Sequence, residues 1–558
     1  MQTYHSYIKT FKATRIYSTQ KYQIFLKGNI YHDTKNLVKL IINSYKRNKM
    51  YDLPNQFNGN YIIFFYDCEK KFFFSSNSQT SYLDIFYSIN KKRLILSHKI
   101  NKFLKFKNST NNYRAFEWLI LGGRALTNET FINNVYYLLP GETISIDKDK
   151  NIKVFEKNYL SYKQDKKKIT AHKLVKSLKK AVNIRITSTK EKTLLGLSGG
   201  MDSRILAGLA DNKNVITYTY GHISNFEKIF AQYVSSRANF KKHVEIDIKD
   251  KEYFPDKVFN DYIKIGNLNS TFQHNHLNKL FQNLSKKFNS KKIMLGCALD
   301  LFLGSSFSDE DLYKIKNLNS FYLWFKKKYF LFSEKEIKKI FPTEYSYFYK
   351  KIRNNFFKLV SKFEYKNFID LNDALHFEIR ILRWYNRNLN FLSYNDRTIL
   401  APTYDKNFLS LCFKTNYKLR VKDFYRKDML KYINKDLYEI PTLSSFLPPS
   451  ADQKYQKTFR KILNSLENLN SNSDNLAKIP SLLYDVNLSR IILKSKDYYY
   501  FKNKILKKFK GIKKSNTMVE VLNKEIFFSN KNNSLSKIKK MIFLLSFYNT
   551  RVYLNDKK

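Results

Sequence analysis

The stretch LLGLSGGMDSRILAGLA, residues 194–210, predicts a β-strand, a glycine-rich turn and a helix in immediate succession. Four of the 14 glycines in the chain lie within it, at Gly196, Gly199, Gly200 and Gly208. Glycine can adopt positive φ and leaves room for backbone N–H groups to approach a bound anion, and Gly199 and Gly200 stand where this matters. Because the following helix directs its positive end at the same place, the turn predicts a phosphate-binding loop.

The side chains of this loop narrow the chemistry of its ligand. Ser198 and Ser203 supply hydroxyl groups beside the glycines. Asp202 would repel a bare phosphate, but it suits Mg²⁺, which binds carboxylates and bridges substrate phosphates. No Gly-Lys-Ser/Thr follows the glycines, which excludes a Walker A loop. The loop therefore predicts a phosphate-bearing ligand with Mg²⁺, against the alternative of a tight strand–helix turn that binds nothing.

The segments after this loop alternate between strand-like and helix-like patterns. Apolar runs and helical stretches follow one another at 193–197, 201–210, 215–220, 226–238 and 243–248. Strands separated by helices of this length form βαβ units and a parallel sheet. An α/β fold is therefore predicted, with its ligands bound at the carboxyl ends of the strands.

Residues 1–160 follow a different pattern, in which short β-rich runs lie close together. The runs are found at 60–67, 71–76, 93–99 and 138–147. A polar segment, 164–168, then precedes a stretch with helical periodicity, 170–186. We therefore predict a first domain over 1–163, a second over 166–445 and a mostly helical C-terminal extension over 446–558.

The Ser-Gly-Gly-x-Asp-Ser motif of the loop resembles that of the ATP-pyrophosphatase, or PP-loop, superfamily. The segment GCALDLFLG, 296–304, is similar to G-E-G-A-D-E-L-F-G-G of asparagine synthetases, with Cys297 and Leu301 in place of two glutamates. The resemblance implies that the loop grips the pyrophosphate of ATP and that Asp202 and Asp300 hold Mg²⁺. A helix-capping role is the alternative for Asp300.

The same resemblance places the adenine between the first two strands of the predicted sheet, through backbone groups near Leu197 and from Thr219 to Gly221. It also implies a cation that stabilises developing charge, since KDFYRKDML, 422–430, is similar to the K-x-x-L-R-x-A-x helix of that family. The sequence leaves three candidates for this catalytic role, Lys422, Arg426 and Lys427.

Four N-terminal segments resemble, in the right order, the glutamine amidotransferase domain of asparagine synthetases: 27–33, 57–67, 94–104 and 138–147. The resemblance implies an α+β fold of the Ntn-hydrolase type. That domain uses a cysteine at position 2 as its nucleophile. Here position 2 is Gln2, and Asn29 stands in place of a glutamate that contacts glutamine. We therefore predict that this domain keeps the fold and has lost the hydrolysis of glutamine.

The function that the resemblance implies is that of an ATP-dependent carbon–nitrogen ligase. A carboxylate attacks the α-phosphate of ATP, giving an acyl-adenylate and pyrophosphate, and ammonia or an amine then attacks the acyl carbon. The carboxylate is either aspartate, as in asparagine synthetases, or a small molecule or peptide, as in β-lactam synthetases and lasso-peptide cyclases. Two alternatives of another class are a tRNA-modifying PP-loop enzyme and a non-catalytic nucleotide-binding protein.

Charge and cysteine content set limits on the partners and the compartment. Lys and Arg total 101 against 47 Asp and Glu, a net charge of +54, which would suit nucleic acid. The basic runs are short and scattered, as at 166–168, so solvated faces are favoured over a nucleic-acid partner. Cys68, Cys297 and Cys412 are too few and too far apart for a disulfide framework or a zinc site, which predicts a cytoplasmic protein. No apolar run approaches the ~18 residues that a membrane span needs.

The histidines are not predicted to bind a metal. His274 and His276 are two residues apart, which on a helix places them on different faces, and no third ligand is near them in sequence. His222 is expected to line the crevice beside the second strand of the predicted sheet rather than to catalyse.

Overall fold

The computed structural model describes residues 11–31, 34–90, 93–106, 111–165, 169–188, 190–221, 226–247, 276–304, 310–387, 389 and 397–472. The N-terminal strands in this part are β1 (Thr14–Ser18), β2 (Tyr22–Ile30), β3 (Gly59–Asp67), β4 (Phe72–Asn77), β5 (Phe86–Asn90), β6 (Arg93–Ser97), β7 (Tyr136–Tyr137), β8 (Thr143–Ile146) and β9 (Ile152–Phe155). They form two antiparallel sheets of order β1-β2-β3-β4-β8-β9 and β6-β5-β7. The N-terminal helices are α1 (Thr34–Lys46), α2 (Leu53–Gln56) and α3 (Asn112–Ile120).

Strand β3 is buried on both faces, which explains its unbroken apolar sequence. Ile62 and Phe64 face the cluster that continues into the core of the second half of the chain. Ile63 and Phe65 face the opposite way, where helix α1 covers the sheet with Leu37 and other apolar residues. A strand covered on both sides keeps apolar residues at successive positions instead of alternating them with polar ones.

The second half contains the predicted parallel sheet. Its strands are β10 (Thr193–Gly196), β11 (Val215–Gly221), β12 (His243–Asp247), β13 (Lys292–Met294) and β14 (Thr398–Leu400). All neighbours pair in parallel, in the order β12-β11-β10-β13-β14. The α/β prediction is therefore confirmed, and the N-terminal antiparallel sheets agree with the predicted α+β domain. Strand β14 was not predicted, because three residues carry too little pattern to recognise.

The order of the sheet reverses between β10 and β13, and this reversal creates the crevice where such sheets bind ligands. The helices around the sheet are α4 (Ala171–Thr187), α5 (Met201–Leu209), α6 (Phe226–Arg237), α7 (His276–Phe288) and α8 (Leu299–Leu303). The Thr170 hydroxyl accepts a hydrogen bond from the backbone N–H of Lys173 and so caps α4.

A mostly helical region follows. Its helices are α9 (Leu318–Tyr329), α10 (Glu334–Ile340), α11 (Tyr345–Val360), α12 (Phe368–His376), α13 (Lys406–Cys412), α14 (Tyr417–Val421), α15 (Phe424–Ile433), α16 (Lys435–Glu439) and α17 (Gln453–Asn472). Shorter turns of 3₁₀ helix occupy Met50–Asp52, Ile100–Phe106, Glu310–Lys314 and Pro402–Tyr404, and a π-helix occupies Phe377–Tyr385. Helices α9, α11 and α12 pack against α3 in one apolar cluster, in which Phe116 and Phe325 are fully buried.

Buried polar contacts join the N-terminal sheets to the second half. Lys157 lies 2.6 Å from Glu378, whose other carboxylate oxygen accepts a hydrogen bond from Arg383 Nε at 2.8 Å. The Tyr82 hydroxyl donates to the carbonyl of Ile399 in strand β14. The predicted boundary near 160–168 stays a prediction, since 166–168 lie outside the described residues.

In the described part of the chain, no helix combines the length and the apolar character that crossing a membrane requires. Of the predicted extension over 446–558, the residues after 472 lie outside the described ranges.

Candidate active site

A cavity of about 860 Å³ opens at the carboxyl ends of the parallel strands, beside the reversal between β10 and β13. The loop after β10, the loop after β13, the start of α15 and the start of α17 all contribute to its walls. Residues from four separate parts of the chain therefore meet at the place where the sheet topology predicts a ligand.

The predicted phosphate loop connects β10 to α5 and is held in shape by its own serines. The backbone N–H of Ser198 donates to Ser203 Oγ at 3.1 Å, and the two hydroxyls lie 3.0 Å apart. The N–H of Gly200 donates to Ser198 Oγ at 3.2 Å. The loop is thus pre-organised, and the first turn of α5 points its positive end into the cavity.

The expectation of positive φ at Gly199 and Gly200 is wrong. The glycines of this segment instead allow other parts of the chain to pack closely against it. Gly200 has φ −89°, and Gly199 lies outside the positive-φ region as well. A Cβ on Gly199 would lie 2.8 Å from the Cβ of Leu443, so this glycine admits a segment from far along the chain. Gly208 admits α15 against α5, since its Cβ would lie 2.5 Å from Ile433 Cγ2. Only part of the glycine cluster therefore faces the cavity.

Arg204 ties the loop to the segment that follows α16, a role that the sequence did not suggest. Its guanidinium is fully buried and donates to four carbonyls: Leu437 at 3.1 Å, Ile440 at 2.5 Å, Pro441 at 3.0 Å and Gly199 at 3.3 Å. Burial lowers the pKa of Arg204 to about 10. Its guanidinium is bonded to backbone carbonyls, so this arginine is not expected to bind a ligand in the cavity.

Asp202 and Asp300 meet at the base of the cavity. The backbone N–H of Asp300 donates to Asp202 Oδ2 at 3.1 Å, and both residues line the cavity wall. The loop after β13 comes this close because Gly296 has no side chain: a Cβ there would lie 3.2 Å from the carbonyl carbon of Asp202. Leu301, which replaces a glutamate of the resembled motif, is buried in the core, and Cys297 is buried as well.

Arg426 pairs with the same carboxylate from the other side. Its Nη1 donates to Asp202 Oδ1 at 2.7 Å, while Nε and Nη2 hold both oxygens of Asp423 at 2.7 and 2.9 Å. Burial lowers the pKa of Arg426, but Asp423, Asp202 and Asp300 raise it by more, so the guanidinium stays charged. Of the three cations predicted as candidates, Arg426 is the one that contacts the aspartate of the loop.

The pKa of Asp202 is raised from 3.8 to about 6. Burial is the largest cause and the charge of Asp300 adds to it, while Arg426 opposes both. Two carboxylates that face each other in a deep cavity repel, and a divalent cation would relieve that repulsion. Across the described residues no group of three or more His, Cys, Asp or Glu is placed to hold a metal. Asp202 and Asp300 are two carboxylates that line one cavity, and Mg²⁺ is commonly bound by one or two carboxylates together with substrate phosphates.

The second strand closes the cavity where the sequence placed the adenine. The backbone N–H of Leu197 donates to the carbonyl of Tyr218 at 2.8 Å, and the Thr219 hydroxyl donates to the carbonyl of Leu197 at 3.0 Å. Leu197 and Thr219 line the cavity, while Gly221 ends strand β11 beyond the lining residues. The Tyr218 hydroxyl lies over Gly196, where a Cβ would be 3.0 Å from it.

The remaining cations of the wall come from two helices. Lys422 is exposed beside the start of α15, and Lys427 is half-buried one turn further on. Lys457 and Arg460 project from α17 and line the same cavity, as do Gln453 and Gln456 of this helix and Pro449 before it. Helix α17 lies within the predicted helical extension, but its place in the cavity wall was not predicted, because the resemblance weakens before it.

Several predicted features lie outside the described residues: Gln2, His222 and His274. His276 begins helix α7. Asn29 lies in strand β2, where it pairs with Asn60 of β3. The loss of glutaminase activity therefore stays a prediction.

Comparison with known families agrees with this geometry. A family profile described as asparagine synthase matches residues 173–320, which include the phosphate loop, Asp202 and Asp300. This part of the chain defines the class, an ATP-binding synthetase domain of the PP-loop type. Over residues 173–320 the chain is similar to the asparagine synthase family, which supports an ATP-dependent amidating ligase at the level of that domain. A search of curated proteins gives no match to the chain.

Proposed function

We propose that this protein forms an amide bond in two steps. A carboxylate oxygen attacks the α-phosphorus of ATP, which gives an acyl-adenylate and releases pyrophosphate. The nitrogen of ammonia or of a substrate amine then attacks the acyl carbon, so that the amide forms and AMP and a proton leave. The observation that carries the proposal is the meeting of the Ser-Gly-Gly-x-Asp-Ser loop, Asp300 and Arg426 in one cavity.

The phosphate loop binds and orients the triphosphate. Ser198, Gly200 and the first turn of α5 line the cavity, and the hydrogen bonds between Ser198 and Ser203 hold the loop in shape before the ligand arrives. Pre-organised donors stabilise developing charge without having to rearrange during the reaction. The loop would therefore stabilise the negative charge of the pyrophosphate as it becomes the leaving group.

Asp202 and Asp300 would hold Mg²⁺. When bound, Mg²⁺ would neutralise phosphate charge and orient the phosphate chain. The contact of Arg426 with Asp202, and the charge that Arg426 keeps through Asp423, support a role for Arg426 in stabilising negative charge near the α-phosphate. Lys422 and Lys427 remain further candidates for stabilising the transition state.

The apolar part of the cavity lining is suited to the body of the carboxylate substrate. It includes Tyr220, Phe281, Tyr385 and Leu389, which are aromatic or aliphatic. Such a wall buries the body of a substrate while the polar groups near the loop fix its reacting end. The substrate is accordingly a small molecule or peptide with a free carboxylate, and the nitrogen donor is ammonia or an amine.

We keep the predicted domain bounds, 1–163, 166–445 and 446–558, and the position of the sheets supports the first division. The antiparallel strands lie between Thr14 and Phe155, and the parallel strands between Thr193 and Leu400. Residues before and after position 446 line the cavity. We therefore propose that the first part of the extension functions together with the synthetase domain.

ATP–pyrophosphate exchange tests the proposal. The full chain is incubated with ATP, Mg²⁺, labelled pyrophosphate and a panel of carboxylates that includes aspartate, other amino acids and peptides. We expect exchange that depends on one class of carboxylate, and we expect Asp202→Asn to abolish it. Asp211→Asn, a change in the exposed turn after α5, is the matched control and should keep the activity. Absence of exchange with every carboxylate, together with tight binding of tRNA, would overturn the proposal in favour of a tRNA-modifying enzyme.

A further inference from the structure

Helix α17 presents one face to the cavity. The four residues on this face, which we call the α17 face, follow the spacing i, i+3, i+4 and i+7 of one side of a helix, and they are Gln453, Gln456, Lys457 and Arg460. Two of the four are cations. The helix thus adds positive charge to a cavity that is built mainly by the α/β part of the chain.

Contacts at both ends of this face hold α17 in place. The Gln456 side chain donates to the carbonyl of Pro448 at 3.0 Å and to that of Ala451 at 3.1 Å, so it caps the turn that leads into the helix. One turn beyond the face, Leu463 packs against the apolar cluster that includes Phe230 and Leu443. The helix is therefore docked through side chains other than its cations.

A short chain of contacts links Arg460 to the phosphate loop. Its Nη2 donates to Ser444 Oγ at 3.4 Å, and Ser444 lines the cavity. The preceding residue, Leu443, donates its backbone N–H to the carbonyl of Gly199 at 3.2 Å. Arg460 is thus linked to the glycine turn through Ser444 and the neighbouring Leu443.

The cations nearer to the loop are already engaged. Arg204 donates to backbone carbonyls, and Arg426 is held by Asp423 and Asp202. Within the described ranges, by contrast, Lys457 and Arg460 form no ion pair with a carboxylate. These two side chains remain able to meet an incoming anion.

Lys427 lies near Arg460 and Arg426 as well as near Asp423 and Asp452. Burial lowers the pKa of Lys427, and the two carboxylates raise it by more than the two guanidinium groups lower it. Cations that repel one another in a partly buried cavity are stabilised when an anion binds between them. A group with several negative charges fits this arrangement best.

We propose that Arg460 and Lys457, together with Lys427, bind the pyrophosphate portion of ATP and the pyrophosphate that the reaction releases. The inference rests on the proposed function and adds to it a set of phosphate-binding residues that lie outside the asparagine synthase match. The nucleoside and the α-phosphate are bound elsewhere in the cavity, so AMP does not depend on the α17 face.

Binding of pyrophosphate and of AMP to the full chain, followed by isothermal titration calorimetry, tests the inference. Arg460→Gln is expected to weaken the binding of pyrophosphate by about tenfold, the effect of one lost charge-assisted hydrogen bond. Lys457→Gln should act in the same direction, and Arg460→Lys should restore part of the loss. Binding of AMP should stay unchanged in all three variants. Lys461→Gln, the next residue of the same helix and exposed, is the matched control.

Three results would overturn the inference. The first is an unchanged affinity for pyrophosphate in Arg460→Gln and in the double variant with Lys457→Gln. The second is an equal loss of AMP binding, which would mean that Arg460 supports the whole cavity. The third is an unchanged pyrophosphate affinity with a raised KM for the amine, which would assign the face to the second substrate. Each is distinguishable from failure of the proposed function, because wild-type exchange activity is measured separately.

Discussion

Asp202→Asn is expected to stabilise the ligand-free protein while it abolishes exchange. The pKa of Asp202 rises from 3.8 to about 6 on folding, and at about 1.4 kcal/mol per pH unit the buried charge destabilises the fold by about 3 kcal/mol at neutral pH. Asparagine keeps the shape but cannot accept hydrogen bonds on both of its terminal atoms, so one contact of about 1 kcal/mol is lost. The expected net gain at pH 8 is therefore about 2 kcal/mol.

The direction of the pH dependence follows from the same shift. Because the folded protein holds the proton of Asp202 more tightly than the unfolded chain does, the stability of the wild type falls as the pH rises from about 4 to about 6. The asparagine variant lacks this titration. The stability difference between the two proteins should thus be full at pH 8 and much smaller at pH 5.

Chemical denaturation of both proteins at pH 5 and pH 8, without ligands, measures this difference. We expect a higher midpoint for Asp202→Asn at pH 8, and Asp211→Asn should match the wild type at both values. Addition of ATP with Mg²⁺ should raise the midpoint of the wild type but not that of Asp202→Asn, since only binding to the folded state stabilises it. A midpoint for Asp202→Asn that equals or lies below the wild type at pH 8 would refute the assignment of a destabilising charge to this site.

Three further predictions concern the phosphate loop and the cations around it. Arg204→Met should destabilise the protein by about 3 kcal/mol or more in chemical denaturation, because buried carbonyls lose their donor, and a change below about 1 kcal/mol would contradict this. Gly199→Ala should raise the KM for ATP by about tenfold or more, since the added Cβ would lie 2.8 Å from a leucine side chain. Gly200→Ala meets only a serine hydroxyl at 3.3 Å and should act more weakly, so equal KM values would count against the packing argument. Lys427→Gln should reduce the exchange rate more than Lys422→Gln, because Lys422 is exposed and Lys427 is half-buried, and the reverse order would disprove the ranking.

Local pattern was enough to predict the parallel sheet. The strands at 193–196 and 215–221 are rich in apolar, β-branched and aromatic residues, and the helix between them, Met201–Leu209, has helical periodicity, so each element is encoded by its own residues. Strand β14 escaped prediction because three residues cannot display a period. The π-helix at Phe377–Tyr385 escaped for a different reason, since its hydrogen-bond pattern has no distinct signature of composition.

In the candidate site, too, some residues could be predicted from the sequence and others could not. Asp202 and Asp300 were recognised because each follows a strand in a motif with several specified positions. Arg426 could not be separated from Lys422 and Lys427 in the sequence, since neighbouring cations on a helix differ only in the direction in which they point. The structure distinguishes them: Arg426 contacts Asp202 at 2.7 Å, and Lys422 is exposed.

The glycine-rich stretch at 194–210 by itself determined that a phosphate loop joins a strand to a helix, because its turn, hydroxyls and carboxylate are neighbours in the chain. Only the tertiary structure decided what surrounds that loop. Leu443 packs against Gly199, and Arg204 links the loop to carbonyls near residue 440 by hydrogen bonds. Arg460 reaches the cavity from a helix that begins more than two hundred residues after the loop. Such contacts depend on how distant segments pack, and packing is a property of the whole fold rather than of any local pattern.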